Sequence, residues 1–394
     1  MERLIRISEK KCAAIGINLK RFIYDQIDWD QRLSIILGHR GAGKTTLLLQ
    51  HANLFAKEAI YLSLDDFYFE NFRLVEVVDQ LITIGYKHFY LDEVHRYKYW
   101  SNDLKNIYDN YPAIKIVATG SSVLELAKGQ ADLSRRAVTY YLPGLSFREF
   151  MQFEYNHSLS PFSLNELIEN HQDISVDILD KTAIDKAFQE YLRYGYYPFY
   201  KESKRFYGQR LLETTNLVLD IDIAPFEDLT YSTIRNMKKL MYIISQSVPF
   251  TPNIAKLSER MEVPRNSILK ILDLLHHAKI ITLLKRETKG ISFLQKPEKI
   301  YLQNTNLAWY LSGNEPNIGN IRETFFLNQL EVNHKVTSSP FGDFTINDQF
   351  TFEIGGPTKT NEQIKGVPFS YIAADGIKWG AGNKIPLWLF GFLY

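Results

Sequence analysis

Gly38-His39-Arg40-Gly41-Ala42-Gly43-Lys44-Thr45 has the full spacing of a phosphate-binding loop, G-x-x-x-x-G-K-[ST]. The apolar run Leu33-Ser34-Ile35-Ile36-Leu37 precedes it, and a helical pattern from Thr46 to Phe55 follows. Strand, glycine loop and helix in that order is the setting the motif requires. Glycine lets the backbone curl so that successive N–H groups turn inward on a phosphate chain. The new helix adds the partial positive charge of its N-terminus at the same point. The expected nucleotide-binding set is therefore Gly38, His39, Arg40, Gly41, Ala42, Gly43, Lys44, Thr45 and Thr46. Within it, Lys44 suits the β- and γ-phosphates and the Thr45 hydroxyl suits Mg²⁺.

Beyond the loop, further apolar runs alternate with helical patterns. The expected strands are Leu33–Leu37, Ala59–Leu64, His88–Leu91, Lys115–Ala118 and Val138–Leu142. Such alternation predicts an α/β fold, a parallel sheet with helices on both faces. His88-Phe89-Tyr90-Leu91 ends in Asp92-Glu93. Carboxylates at the C-terminal end of a parallel strand stand on the rim where open α/β sheets bind ligands. Asp92 is the expected Mg²⁺ partner of Thr45. Glu93 is placed to orient and polarise an attacking water, which favours hydrolysis over small-molecule phosphorylation. A third run, Ile114 to Ala118, leads into Thr119-Gly120-Ser121-Ser122. Thr119 or Ser121 is a candidate sensor of the γ-phosphate; Ser121 serves equally well as the cap of a helix starting near Val123.

These segments, with Leu133-Ser134-Arg135-Arg136 and Leu142-Pro143-Gly144-Leu145-Ser146-Phe147-Arg148-Glu149-Phe150, resemble a prokaryotic AAA-type P-loop ATPase family of the additional-strand (AAA+) class. The resemblance implies ATP and Mg²⁺ as ligands and an extra strand between the two nucleotide motifs. It also implies an arginine near the leaving phosphate, in cis or from a neighbouring subunit. That arginine falls on Arg136, beside Arg135. Lys44, Glu93 and Arg136 are thus the expected catalytic set.

Residue patterns beyond these motifs, read beside the resemblance, divide the chain into a P-loop domain (1–150), a helical lid (151–246), a winged helix-turn-helix (247–312) and a degenerate endonuclease-like α/β domain (313–394). In the lid, Tyr191 to Pro198 reads as a helix end with a glycine stop. The segment Thr251 to Lys289 carries a net charge of +4. Thr251-Pro252 is the expected start of its first helix, and Pro264 opens a second helix with apolar Ile268, Ile271, Leu272 and Leu275. Ile280 to Leu284 suits one side of a wing. Arg265, Asn266 and Lys270 would then face DNA; packing against another domain or subunit, including a homo-oligomer, is the competing use of this module. From about Asn320 the chain resembles a restriction-endonuclease fold. Glu323, on a helix expected to be amphipathic, then Asp343 and Glu353 stand for the acids, but Gly355-Gly356 replaces the expected lysine and Lys359 has the wrong spacing. The expectation is a site without its stabilising cation, kept for structure or binding.

Composition agrees with a folded, water-soluble chain: 394 residues, 45% hydrophobic, 23% charged, with a net charge of +1 that gives no whole-molecule attraction to nucleic acid. The single cysteine, Cys12, excludes an internal disulfide and suits a reducing cytoplasm. Charges within Met1-Glu2-Arg3-Leu4-Ile5-Arg6 argue against a secretory signal. The apolar end, Ile385 to Tyr394, has about half the ~20 residues a membrane helix needs and reads as a buried final strand, so no membrane partner is expected. The function that emerges is a Mg²⁺-dependent ATPase switch coupled to DNA or protein partners. The rivals are a non-catalytic ATP-binding regulator, an ATPase-linked nuclease and, more distantly, a P-loop kinase.

Overall fold

Leu33–Gly38 (β1) is buried at all six positions, as a strand must be when helices cover both its faces. The computed structural model describes residues 1–16, 19–55, 57–122, 133–180, 183–224, 229–246, 251–286 and 297–394. Four more strands join β1: Ala59–Ser63 (β2), His88–Asp92 (β3), Lys115–Ser121 (β4) and Val138–Leu142 (β5). They correspond to the five runs expected from sequence. All pair in parallel, in the order β2-β3-β4-β1-β5. β4 therefore lies between β1 and β3, the strands that carry the loop and the acid pair. It is the additional strand that the resemblance implied.

Side chains alternate between two cores, as the period of two demands. Leu33, Ile35, Leu37, Ile60, Leu62, Phe89 and Leu91 pack on one face with Val77, Val78 and Leu81 of the helix Leu74–Thr83. Ile36, Tyr61, Tyr90 and Val117 pack on the other with Leu47 and Leu48 of the helix Lys44–Ala52. This is the α/β architecture of a P-loop NTPase domain. It occupies a compact unit, Met1–Gly144.

The second unit is Leu145–Tyr394. Its first hundred residues are helical and contain no strand among the described residues. Helix Phe147–Tyr155 starts at a capping box: the Ser146 hydroxyl accepts from Glu149 N–H and the Glu149 carboxylate accepts from Ser146 N–H. Gly195 ends a π-turn, Tyr191–Gly195, rather than providing a left-handed stop. A Cβ there would stand 2.6 Å from the Tyr191 ring and 2.8 Å from the Phe150 ring, so close packing sets the residue. Helices Ile254–Met261 and Arg265–His277 follow, with Glu262 left-handed in the turn (φ 57°). The first is capped by Asn253, whose side chain accepts from Lys256 N–H, and not by Thr251. Ile281–Leu284 (β6) then pairs antiparallel with Lys299–Leu302 (β7). Part of the expected wing, including Lys289, lies outside the described residues.

The C-terminal sheet is mixed. Val336–Ser338 (β8), Phe344–Ile346 (β9) and Phe350–Gly355 (β10) run antiparallel, while Ser370–Ala374 (β11) and Lys384–Pro386 (β12) add in parallel. The helix Ile318–Leu330, expected to be amphipathic, exposes Ile318 at its start but is buried on all sides from Asn320 onward, with only Arg322 half-buried there. The expected final strand is only three residues long. Pro386 lacks the N–H to extend a ladder, and Leu387–Phe392 instead forms a buried 3-10 helix. Buried polar bonds tie these parts together. The Asn306 amide accepts from Tyr196 N–H and the Tyr207 hydroxyl, and donates to the Tyr191 and Leu192 carbonyls. Among the described residues no helix is long and apolar enough to cross a membrane.

Candidate functional site

The parallel register brings the C-terminal ends of the strands to one rim. Gly38 pairs with both Ser121 and Leu142, Ser63 pairs with Asp92, and Leu91 with Ala118. The phosphate loop leaves this rim from β1. Gly38 is required by its neighbour strand: an added Cβ would lie 2.3 Å from the Leu142 carbonyl oxygen. Gly43, at φ 99°, sits in the left-handed region that side chains disfavour, immediately before the helix Lys44–Ala52. Lys44 is buried, and its ammonium donates to the Gly38 and His39 carbonyls, each at 2.9 Å. The loop is thus already folded around the lysine that the sequence assigns to phosphate. His39 is buried against Tyr141, while Thr46 is exposed.

Asp92 is 2% exposed and receives three hydroxyls. Thr45 donates to Oδ2 at 2.7 Å, Tyr61 donates to the same oxygen at 2.7 Å, and Thr119 donates to Oδ1. Burial, reinforced by the Asp92 charge, pushes the Tyr61 phenol well above its usual range, so it remains a donor. Thr45 and Asp92, assigned to one metal from sequence, therefore touch. A hydroxyl and a carboxylate in contact at the loop's mouth are the hard oxygen donors that Mg²⁺ takes. Thr119 also holds the next residue, its hydroxyl oxygen accepting from Glu93 N–H at 3.2 Å. Glu93 itself is left-handed, φ 55°. That conformation is uncommon for a side-chain-bearing residue, and strain of this kind gathers at functional sites. Ser121 N–H donates to His95 Nδ1 at 3.3 Å; the helix that Ser121 was expected to cap lies outside the described residues.

Arg136 is placed elsewhere. Its guanidinium forms a two-pronged pair with Asp109, at 2.8 and 2.9 Å. It precedes Val138, which pairs with Ser34 at the entry of the sheet, whereas the loop leaves from the exit. Four strand steps of about 3.3 Å separate those ends. This arrangement does not serve the expected role at the phosphate of the same chain.

Three further contributors are scarcely visible in the sequence. Tyr61 was legible only as a tyrosine in an otherwise aliphatic buried run. His95 follows the acid pair closely but signals nothing by spacing. Arg21 gave no signal at all. It is buried, and its guanidinium donates to the Ala42 carbonyl within the loop (2.5 Å) and to the Pro143 and Gly144 carbonyls beyond β5 (2.9 and 2.7 Å). Arg21→Ala should strand those carbonyls without donors. We expect a loss of about 2–4 kcal/mol, since hydrogen bonds to a charged group are worth ~1.5–3 kcal/mol and orphaned buried acceptors add to the cost. A chemical-denaturation midpoint unchanged from wild type would exclude that clamp.

In the second unit, Arg265, Asn266 and Lys270 are exposed on the second helix of the helix-turn-helix segment. The acids Glu323, Asp343 and Glu353 do converge, but with two lysines among them. Lys299 from β7 reaches Asp343 at 2.9 Å and Glu323 at 3.5 Å, and Lys359 pairs with Glu353. The cation expected to be missing is therefore present: the turn after Gly355 folds Lys359 back despite its spacing, its stem packing where a Gly355 Cβ would stand. Burial, then the Asp343 charge, raises the pKa of both Glu323 and Glu353. Burial opposes the Lys299 ammonium, yet Asp343 and Glu323 hold its pKa above the usual lysine value. Among the described residues no three His, Cys, Asp or Glu side chains form a metal-ligand group. Here the carboxylates are balanced by ammonium groups.

Residues 30–151 match the family model described as an AAA domain. No curated protein sequence matches the chain. Solved structures with similarity include a chain from the study of katanin self-assembly, at 15% identity and TM-score 0.27, covering 42% of this chain and 60% of that one. The Thermotoga maritima RuvB Holliday junction branch migration motor has 15% identity and TM-score 0.26, over 73% of this chain and 89% of that one. The Aeropyrum pernix Orc1 protein in complex with DNA has 13% identity and TM-score 0.31, over 79% and 92%. This chain thus spans less than two thirds of the katanin chain. The class of the first unit rests on its sheet order, its loop and the AAA-domain match.

Proposed function

We propose that the first unit binds ATP with Mg²⁺ and hydrolyses it, working as a switch for the second unit. The observation that supports this best is the 2.7 Å contact between Thr45 and Asp92 at the mouth of a folded phosphate loop. Lys44 holds the β- and γ-phosphates, and the loop N–H groups surround them. Mg²⁺, held by Thr45 and Asp92, supplies neutralising charge to the phosphate oxygens. Thr119 orients Asp92 and fixes the backbone of Glu93. Glu93 directs a water in line: the water oxygen bonds to the γ-phosphorus, the bond to the bridging oxygen breaks with its electron pair going to ADP, and the water proton passes to the Glu93 carboxylate.

Arg265, Asn266 and Lys270 are the proposed contact surface of the second unit for DNA, with a protein partner or a second copy of the chain as the competing occupant. The lysine-balanced acid cluster supports a structural or binding role for the C-terminal sheet rather than cleavage. A second reading has its own observation: Glu93 stands within ion-pair distance of Arg40, which suits a module that binds ATP without turning it over. Steady-state phosphate release with Mg²⁺, run with and without single- and double-stranded DNA, separates the two. Magnesium-dependent release supports the switch. Tight binding with no release under any of these conditions selects the non-catalytic module.

A further inference from the structure

Arg40 stands third in the phosphate loop, and its Nη2 lies 3.9 Å from Glu93 Oε2. About a quarter of each side chain is open to solvent, 26% and 22%, so an entering anion can reach both. From another side His95 Nε2 lies 3.4 Å from the same oxygen. Its Nδ1 accepts from Ser121 N–H, which leaves Nε2 as the nitrogen that carries hydrogen. The Glu93 backbone is held by Thr119. The carboxylate is therefore anchored to the rim, while the guanidinium beside it belongs to the loop that wraps the phosphates. Such an arginine stands between two anions. The carboxylate is permanent; the γ-phosphate is present only with a triphosphate.

We infer that Arg40 is a sensor of the γ-phosphate acting within its own chain, an inference that rests on the ATP-hydrolysis reading above. With ADP or no nucleotide, Arg40 pairs with Glu93 and withholds the carboxylate from water. A γ-phosphate carries more negative charge than a carboxylate, and the guanidinium fork matches phosphate oxygens in pairs. It draws Arg40 onto itself and frees Glu93 to take the water proton. The same move puts a positive charge on the transferring group, the role that the resemblance had given to Arg136. Arg40 then discriminates triphosphate from diphosphate, which a residue that merely shapes the loop does not do.

The test is calorimetric titration of ATP and of ADP, both with Mg²⁺, into wild type, Arg40→Gln and Arg40→Lys. The Gln variant should lose about tenfold or more in ATP affinity, the size of one charged hydrogen bond, while ADP affinity changes less than twofold. The Lys variant should keep most of the ATP preference because it keeps the charge. The preference is a ratio within each variant, so partial misfolding of a preparation leaves it readable. Equal weakening of both nucleotides by the Gln variant, or an unaltered ratio, overturns the sensor and reduces Arg40 to a loop-shaping residue. If wild type takes up neither nucleotide, the ATPase reading falls together with the sensor. If wild type binds and hydrolyses ATP and the ratio does not move in Arg40→Gln, only the sensor falls.

Discussion

Replacing Lys44 by alanine should raise the Kd for ATP by about 10²–10⁴-fold, as expected when two charge-assisted contacts of ~1.5–3 kcal/mol each are lost. The structure gives the reason for so large an effect from one residue. The ammonium is already buried and bonded to the Gly38 and His39 carbonyls at 2.9 Å, so the positive charge is held in position before any phosphate enters. Little ordering remains to be done on binding, and more of the attraction appears as affinity. Lys44→Met is the stricter comparison, because it keeps the packed stem and removes only the charge. Both variants should lose the ATP-dependent rise in melting temperature that a ligand specific to the folded state produces. Calorimetry with saturating Mg²⁺ checks the affinity directly. A Lys44→Met protein that melts like wild type and still binds ATP with wild-type affinity would falsify the assignment of this loop to phosphate.

The strands around that loop were legible because the central ones, β1, β3 and β4, are buried on both faces and so read as short apolar runs closed by polar or glycine residues. The acid pair was legible for a related reason: Asp92-Glu93 interrupts a run at the end where the chain leaves the sheet. Most of the rest depended on contacts between residues far apart in sequence. Arg21 reaches the loop at Ala42 and the end of the first unit at Gly144, and nothing in Arg21-Phe22-Ile23 announces it. Tyr61 and Asp92 meet because β2 and β3 are neighbours in register, Ser63 beside Asp92. Spacing alone excludes Lys359, yet a turn returns it to Glu353. Spacing rules describe one local backbone path, and a different turn delivers the same charge. For Arg136 the contrast runs the other way, and it concerns only action within its own chain, not action in a neighbouring subunit. A resemblance assigned it to the phosphates, whereas the parallel register of β5 sends it to the other end of the sheet, where Asp109 pairs with it.

Glu93→Gln should lower kcat for ATP by about 10²–10⁴-fold, the usual contribution of a positioned general base, with ATP affinity within a few-fold of wild type. Glutamine has the shape of glutamate, and the backbone that positions the side chain is held independently of its charge. The N–H of residue 93 donates to Thr119, and the left-handed turn at φ 55° is a property of the main chain. The three hydroxyls on Asp92 come from Thr45, Tyr61 and Thr119, none of which requires the Glu93 carboxylate. Loss of turnover in this variant therefore reports proton transfer and not collapse of the rim. Thr119→Val provides a contrast. It removes the donor to Asp92 and the acceptor for Glu93 N–H together, so binding and turnover should both decline. Single-turnover phosphate release alongside nucleotide titration distinguishes these outcomes. Wild-type release by Glu93→Gln would show that the water is directed by another group, and the acid at the tip of β3 would then be only the polar end of a strand.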